Sequence, residues 1–260
     1  PPGLPFEVKR VVVSKGYDGK TCWVHPRAGA IPGATPTVVL TMQKLLLTGS
    51  DVFYALNETR SADLGATWSP IVEHTKTLGR RNEPDEVIVG ACDFTPKYHA
   101  KSGKLLGVGH TVRYKGDHVM AVRPRETAWS VYDADKQTWT PWTTLGMPKE
   151  AKFVNAGAGS VQRFDLENGD ILLPIYFKAE KDKFYSVTVV RCSFDGTTLK
   201  YLEHGTELTL ESGRGVYEPS ITRCAGKFYL TLRNDTAGYV AVSDDGLHFG
   251  PIQMWKFDDG

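Results

Sequence analysis

The sequence lacks the features that mark several large classes of protein. Its 31 Lys and Arg residues nearly balance its 30 Asp and Glu residues, so no overall charge favours nucleic acid or an anionic membrane surface. No apolar run reaches the roughly 20 residues that a membrane-spanning helix needs. Neither a P-loop nor a dinucleotide-binding glycine motif follows a strand and opens a helix. We therefore expect no nucleic-acid partner, no membrane span and no cofactor.

Cysteine is scarce, with four residues in a chain of 260 and no Cys-x-x-Cys pair. This spacing argues against a zinc knuckle, and the number is too small for a disulfide-stapled mini-protein. The Asp, Asn and Glu residues of the loops show no regular spacing of oxygen ligands, so we expect no metal site. Free buried thiols are the simplest expectation, and one disulfide stays open for an exported protein.

Helical periodicity is also nearly missing, because no stretch of 12 residues carries a convincing i, i+3, i+4, i+7 apolar stripe. In contrast, the chain holds 26 Gly, 15 Pro, 6 Trp, 11 Tyr and 11 Phe residues. Turn formers and aromatic residues in these numbers favour many short strands joined by tight turns. The sequence therefore predicts an all-β protein.

One pattern recurs four times along the chain: two apolar strands around a turn, a polar loop, a third strand, and an Asp/Gly turn leading to an aromatic residue. The four copies span residues 37–68, 92–139, 159–197 and 218–249. A four-stranded unit cannot bury both of its faces alone, and packing such units in a ring solves this problem. We therefore predict a β-propeller of four-stranded antiparallel blades, with a β-sandwich as the alternative.

The segment Ser61–Trp68, with sequence SADLGATW, matches the Asp-box pattern S-x-D-x-G-x-T-W at every specified position. The segment Ser243–Phe249, with sequence SDDGLHF, is similar to a degenerate copy. The chain thus resembles the sialidase superfamily of propellers, bacterial sialidase-like glycoside hydrolases included. The resemblance implies that the box is structural and lies in the hairpin between the third and fourth strands of a blade.

Propellers of this kind have five or six blades, and we expect four to five of them in one domain over residues 1–260. The strand predicted at Val8–Val13 would contribute to one more blade, and a further blade is expected where the chain stops, at residues 257–260. Our hypothesis is that the domain lacks a C-terminal segment, or that a second chain completes the ring. The start, Pro1–Pro5, is not a signal peptide, so secretion or export to the periplasm would need a signal removed upstream.

In the predicted propeller, the loops before the first strands and those between the second and third strands share one face, opposite the Asp-box hairpins. Two carboxylates across a pocket are what glycoside hydrolysis needs. Asp93 and Glu218 open inner strands that face each other across the axis, and we predict them as the acid/base pair. Glu83 is a third candidate, and Tyr217 is a fourth candidate for a catalytic role.

The same face collects arginines, whose planar forks suit bidentate recognition of a carboxylate or sulfate. Substrate-binding roles are predicted for Arg27, Arg81, His110, Arg113, Tyr176, Arg233 and Asn234. Sialidases generally hold the sialic carboxylate with three arginines and use a Tyr nucleophile, an assisting Glu and an Asp acid/base. By resemblance Arg27 takes the place of the first arginine, although its surroundings, HPRAGAIP, depart from the usual Arg-Ile-Pro motif.

The predicted function is an exo-acting, sialidase-like glycoside hydrolase that cleaves a terminal acidic sugar from a glycan. Two alternatives stay open. A polysaccharide lyase on the same scaffold would use Tyr217 or His110 as the base and arginine as the charge stabiliser. A non-catalytic glycan-binding propeller would present aromatic platforms and would not need opposed carboxylates.

Overall fold

A computed structural model describes residues 6–49, 51–121 and 124–257 of the chain. The predictions made on Pro1–Pro5, Ser50 and residues 258–260 lie outside the described residues. Within the described part the structure is all-β, with one short 3-10 helix at Ala151–Phe153 and no α-helix. No helix of this part is long and apolar enough to cross a membrane. The four cysteines all carry free thiols, and Cys92 and Cys192 are buried.

The strands form four separate antiparallel sheets, which we number as blades 1 to 4 in chain order. Blade 1 contains β1 (Thr21–Ile31), β2 (Thr37–Leu46), β3 (Phe53–Ser61) and β4 (Val72–Glu73). Blade 2 contains β5 (Arg81–Asn82), β6 (Val87–His99), β7 (Lys104–Lys115), β8 (His118–Val119), β9 (Thr127–Asp133), β10 (Thr138–Trp139) and β11 (Thr143–Thr144).

Blade 3 contains β12 (Ala156–Gly157), β13 (Phe164–Asp165), β14 (Ile171–Phe177), β15 (Ser186–Phe194), β16 (Leu199–His204) and β17 (Leu208–Thr209). Blade 4 contains β18 (Tyr217–Cys224), β19 (Lys227–Arg233), β20 (Gly238–Ser243) and β21 (Gln253–Met254). The main strands of each blade pair in chain order as meanders, which confirms the predicted four-stranded antiparallel units.

Two predictions about the N-terminal part are wrong. Residues 6–18, which include the strand predicted at Val8–Val13, form no strand. The first strand of blade 1 is instead β1, and the segment predicted to open the blade at Thr37 belongs to β2. Strand β1 escaped the pattern because only two of its eleven residues are buried, so apolar residues do not alternate along it.

An Asp turn joins the third and fourth strands of every blade, at the place predicted for the Asp-box. The Asp63 carboxylate accepts hydrogen bonds from Thr67 N at 2.9 Å and Thr67 Oγ1 at 2.6 Å. These bonds, rather than a nearby charge, lower the pKa of Asp63 to about 2. The equivalent carboxylates of the other blades, which each accept two backbone N–H groups, belong to Asp133, Asp195 and Asp245.

Apolar side chains fill the interfaces between successive blades. Residues from blades 1 and 2 share two clusters, those of blades 2 and 3 share a third, and those of blades 3 and 4 share a fourth. No such cluster of the described residues joins blade 4 to blade 1. Strand β14 of blade 3 is therefore buried along its whole length, whereas β19 of blade 4 is buried only at alternate positions. The described blades form part of a propeller.

A buried carboxylate adds a polar tie between blades 1 and 2. Glu58 on β3 is 2% exposed and accepts hydrogen bonds from Trp139 Nε1 at 2.7 Å and Tyr132 OH at 3.2 Å. His74 Nε2 lies 3.1 Å from the same carboxylate. Trp139 and Tyr132 belong to blade 2, whereas Glu58 belongs to blade 1. Their bonds to Glu58 therefore fix how the two blades meet, and so how the inner strands of these blades face the cavity.

Candidate functional site

The first strands of the blades surround a cavity of about 480 Å³. All four blades contribute to its wall. The lining consists of His25, Arg27, Asp51, Phe53, Asp93, His110, Val112, Arg125, Ser160, Tyr176, Tyr185, Arg214, Tyr217, Glu218 and Arg233. Four arginines and two histidines face three carboxylates here, although the chain as a whole is nearly neutral. The local charge therefore favours an anionic ligand.

One backbone feature recurs at the cavity in every blade. A non-glycine residue of the innermost segment has a positive φ: +53° at His25, +53° at Asp93, +55° at Ser160 and +48° at Glu218. At His25, Asp93 and Glu218 the register of the inner strand shifts, as in a β-bulge. Ser160 lies between β12 and β13, which both pair with β14.

We call His25, Asp93, Ser160 and Glu218 the axial positions. A positive φ costs conformational energy in a residue that has a Cβ. Residues strained in this way cluster at functional sites, where the backbone must hold a side chain in a particular direction. In blades 1, 2 and 4 the bulge interrupts the two-residue alternation of the inner strand, and in blade 3 the break between β12 and β13 does so; all four side chains line one cavity. Repetition of the same distortion in four blades indicates a built site.

Asp93 is the most heavily contacted axial residue. Its Oδ1 accepts a hydrogen bond from Ser160 Oγ at 2.7 Å and lies 3.2 Å from His25 Nδ1 and 3.3 Å from Arg27 Nη2. Its Oδ2 lies 3.3 Å from His110 Nε2. Burial alone would raise the pKa of Asp93, but His110, His25 and Ser160 outweigh it and hold that pKa well below the usual 3.8. Asp93 is therefore a fixed negative charge.

His110 extends this network into blade 3. The Tyr176 hydroxyl lies 3.1 Å from His110 Nδ1, so the imidazole bridges the tyrosine and Asp93. The close approach depends on Gly159, where an added Cβ would lie 2.4 Å from His110 Nδ1. Burial raises the pKa of Tyr176 well above 10, which keeps its hydroxyl protonated at neutral pH.

Glu218 and Arg233 line the same cavity from blade 4. Arg233 Nη1 donates to both carboxylate oxygens of Glu218, at 2.7 and 2.9 Å. The Arg233 guanidinium also lies 5.0 Å from the ring centre of Tyr217, in a cation–π arrangement. Glu218 is therefore a carboxylate that an arginine positions at the cavity, and its catalytic role stays a prediction.

Tyr217 is held by a second charged pair on this wall. Its hydroxyl donates to Asp235 Oδ1 at 2.7 Å and accepts from Arg214 Nη2 at 2.6 Å. Burial, and after it the bond to Asp235, raises the pKa of Tyr217. Tyr217 is thus a neutral, buried hydrogen-bonding group. To act as the base that takes a proton from a sugar, it would have to be ionised.

Seven of the eleven residues predicted for the site line the cavity: Arg27, Asp93, His110, Tyr176, Tyr217, Glu218 and Arg233. The other four, Glu83, Arg81, Arg113 and Asn234, are not among its lining residues. Glu83 and Arg113 form a bidentate ion pair with two distances of 2.8 Å, and Arg113 also contacts Glu126 at 2.9 Å. Placement outside the cavity removes the geometric support for a catalytic Glu83 and a substrate-binding Arg113.

Arg81 and Asn234 have structural partners of their own. The Arg81 guanidinium lies 3.7 Å from the ring centre of Trp142 and donates to its carbonyl oxygen. Asn234 Nδ2 donates to the carbonyl oxygens of Ser212 at 2.9 Å and Gly215 at 2.7 Å, so it organises the loop before β18. These contacts explain both residues without a ligand.

Several lining residues were not chosen as site residues from the sequence: His25, Asp51, Arg125, Ser160, Tyr185 and Arg214. His25 and Ser160 could have been found by aligning the four blades on the axial positions, but the bulges hide that register. Asp51 and Arg125 lie in loops that the sequence assigned to the site face, and Arg125 counted among the arginines of that face, but neither received a role of its own.

A cation site could be considered at Cys92, Asp93 and His110, whose ligand atoms lie within 4.8 Å of one another. The chemistry of these groups argues against it. Burial raises the pKa of the Cys92 thiol well above its usual value, which disfavours the thiolate that a metal binds. The Asp93 and His110 atoms already contact each other, and Arg27 lies beside the same carboxylate.

No protein-family model matches the chain, and no curated protein matches it. Its fold is nevertheless similar to solved sialidase structures. A Hadza microbial sialidase, Hz136, superposes with a TM-score of 0.62 at 16% identity over 86% of this chain and 44% of its own. Trypanosoma rangeli sialidase gives a TM-score of 0.60 at 17% identity over 90% of this chain and 38% of its own.

The NanB sialidase of Streptococcus pneumoniae, in complex with an ethanesulfonate compound, gives a TM-score of 0.64 at 10% identity. The match covers 97% of this chain and 55% of that one. The chain therefore has the fold of a sialidase-like β-propeller and spans about half or less of the length of these structures. At such identities the likeness shows the fold and leaves the activity to the site chemistry.

Proposed function

We infer that this chain provides the substrate cavity of an exo-acting glycoside hydrolase that removes a terminal acidic sugar from a glycan. The observation that carries the proposal is the meeting of Asp93, Glu218 bound to Arg233, and four arginines in the lining of one cavity. Two carboxylates in one cavity provide hydrolytic chemistry, and the arginines provide selection for an anion. The sialidase-like fold supports the same function by analogy.

The carboxylates divide into distinct proposed roles. Asp93 is held ionised, so it acts as a fixed charge that stabilises positive character developing on the sugar ring, and it does not donate a proton. Glu218, oriented by Arg233, acts beside the reacting carbon as base or as support for a nucleophile. Proton transfer to the leaving oxygen then falls to Asp51, a lining carboxylate with no ion-pair partner among the described residues.

Assigning the proton donor to Asp51 revises the predicted acid/base pairing of Asp93 with Glu218. Asp51 has a φ of +57° and its carbonyl oxygen accepts a hydrogen bond from Tyr114 OH at 3.1 Å, so the backbone at this point is anchored to blade 2. Asp51 is exposed, so its carboxyl group is accessible to the leaving oxygen of a glycan bound in the cavity.

We also propose that a further segment or a second chain completes the ring. Blade 4 buries one face of β19 against blade 3 and leaves its other face partly exposed. The solved sialidases extend well beyond the part that this chain matches. An enzyme that acts on extracellular glycans must reach them, so we also propose that the protein is secreted or exported to the periplasm.

The test is a product assay on a panel of acidic and neutral glycans, with released monosaccharide and unsaturated uronate followed together. Release of a saturated acidic sugar supports the hydrolase. An unsaturated product would replace the hydrolase with a lyase, in which the raised pKa of Tyr217 does not favour that tyrosine as the base. Binding of a glycan without any product would replace it with a glycan-binding propeller.

A further inference from the structure

The arginines of the cavity differ in whether a carboxylate of the chain already faces them. Three of the four have such a partner. The pairs are Arg27 with Asp93 at 3.3 Å, Arg214 with Asp235 at 2.7 Å, and Arg233 with Glu218 at 2.7 Å. An anionic ligand that approaches these arginines must compete with an internal carboxylate or share the arginine with it.

Arg125 is the exception. Its side chain lines the cavity, yet the residue is only 7% exposed. Within 6–49, 51–121 and 124–257, its Nε and Nη1 have no hydrogen-bond partner and no carboxylate lies at ion-pair distance. A buried guanidinium whose N–H groups lack hydrogen-bond acceptors costs free energy.

Aromatic faces and backbone bonds hold Arg125 in place. Its guanidinium carbon lies 4.6 Å from the ring centre of Tyr176 and 5.8 Å from that of Tyr185. The backbone N–H of Arg125 donates to the carbonyl oxygen of Val154 at 3.3 Å, and the backbone carbonyl oxygen of Arg125 accepts from the N–H of Ala156 at 2.9 Å. Cation–π contacts compensate burial only in part, since they supply no hydrogen-bond acceptor.

We propose that Arg125 is the residue through which this cavity selects an anionic group of its ligand, a carboxylate or a sulfate. An anion gains more at Arg125 than at the paired arginines, because it displaces no carboxylate of the chain. The identification of that ligand as an acidic sugar rests on the proposed function, whereas anion binding at Arg125 does not.

The experiment is a titration of the chain with inorganic sulfate at constant ionic strength, followed through the arginine Nε–H signals by NMR. We expect a saturable shift of the Arg125 signal, and sulfate affinity at least about tenfold lower in Arg125→Gln, because a charge-assisted hydrogen bond is lost. Arg81→Gln removes the same charge outside the cavity, and it should bind sulfate like the wild type.

Equal sulfate affinity in wild type and Arg125→Gln, or a saturable shift confined to other arginines, would overturn the proposal. Should Arg125→Gln not fold, Arg125→Lys decides, since it keeps the charge without the planar fork. Sulfate affinity several-fold below wild type supports Arg125, and unchanged affinity contradicts it.

Two further probes separate the sources of the anion. Displacement of sulfate by sialic acid but not by its methyl ester identifies a carboxylate as the selected group. Sulfate binding that neither compound displaces identifies a sulfate ester. If sulfate binds through Arg125 while the glycan panel gives no product, the hydrolase proposal fails and the anion site stands.

Discussion

The two ends of the blades use repetition in different ways. At one end, the Asp turn between the third and fourth strands carries Asp in all four blades, and each carboxylate accepts backbone N–H groups. At the cavity, the axial position keeps the same positive φ in all four blades, but its residue changes from His25 to Asp93, Ser160 and Glu218.

This difference separates the requirement for folding from the requirement for chemistry. A turn needs the same acceptor in every blade, so the same residue serves four times. A cavity needs a charge, a base, a hydroxyl and a ring in one place, so four equivalent backbone positions carry four different side chains. Changes at the Asp turns should therefore act on stability alone, whereas changes at the axial positions should act on ligand chemistry and, where the residue forms ion pairs, on stability as well.

The largest expected effect on activity comes from a matched pair of glutamates. Glu218 and Glu83 both contact an arginine through two short bonds, with side chains 27% and 33% exposed, yet only Glu218 lines the cavity. Glu218→Gln should lower kcat on an active glycan by about 1000-fold, an effect typical of a lost group that acts on the transition state.

Glu83→Gln should leave kcat within about twofold of wild type, because its ion pair with Arg113 lies outside the cavity. The measurement is initial rate against substrate concentration for the three proteins. Equal losses of kcat in the two variants would show that a position in the lining of the cavity does not mark a carboxylate as catalytic.

The next effect concerns stability at an axial position. Asp93→Asn removes the charge that faces His25, Arg27 and His110, and leaves Arg27 without its carboxylate partner. We expect the free energy of unfolding at pH 7 to fall by roughly 3 kcal/mol, as for a broken buried ion pair. Urea unfolding followed by tryptophan fluorescence measures it, and a loss too small to resolve would contradict the assigned ionisation of Asp93.

A smaller effect is expected at the opposite end, in Asp63→Asn. Asp63 is an exposed residue and does not line the cavity, so its replacement should lower Tm by a few degrees and leave ligand affinity unchanged. Because the folded-state pKa lies at about 2, below the usual 3.8, the carboxylate stabilises the fold above about pH 4. That contribution is lost as the pH falls from 3.8 towards 2.

The Tm difference between wild type and Asp63→Asn should therefore shrink across that pH window. Calorimetric scans between pH 5 and the lowest pH at which both proteins fold provide the measurement. A difference that is constant with pH would mean that the charged form of Asp63 is not what the turn needs.

The smallest effect is expected at Leu64, an exposed residue of the first Asp turn with a φ of +58°. Leu64→Gly should raise the free energy of unfolding by about 1 kcal/mol, since glycine adopts this conformation without the steric cost of a Cβ. Glycine at the axial Ser160 relieves the same kind of strain but removes the bond to Asp93, so no net gain is expected there. Equal stabilisation in both variants would remove the distinction between the two ends.

The sequence predicted the parts of this molecule whose residues repeat. The Asp turns and the apolar pattern of the fourth copy, residues 218–249, coincide with β18, β19 and β20 of blade 4. It missed β1, because that strand lines the cavity with polar residues and a bulge interrupts its register at His25. Local apolar pattern cannot reveal a strand whose residues face a polar cavity.

The same cause limited the prediction of the site. Asp93 and Glu218 were chosen from the sequence because they precede apolar strand residues in the repeat. Ser160 and Arg125 lie in irregular segments, and their positions depend on contacts between blades, such as the bond from Ser160 to Asp93 and the packing of Arg125 on Tyr176. Such contacts join residues distant in sequence, so only the folded arrangement identifies them.

The most direct test of the central claim is a crystal structure of the chain soaked with sialic acid, the simplest acidic sugar that the proposal covers. The account predicts that the sugar occupies the axial cavity, with at least two of His25, Asp93, Ser160 and Glu218 at hydrogen-bond distance. A sugar bound only outside that cavity, or no bound sugar at saturating concentration, would contradict it.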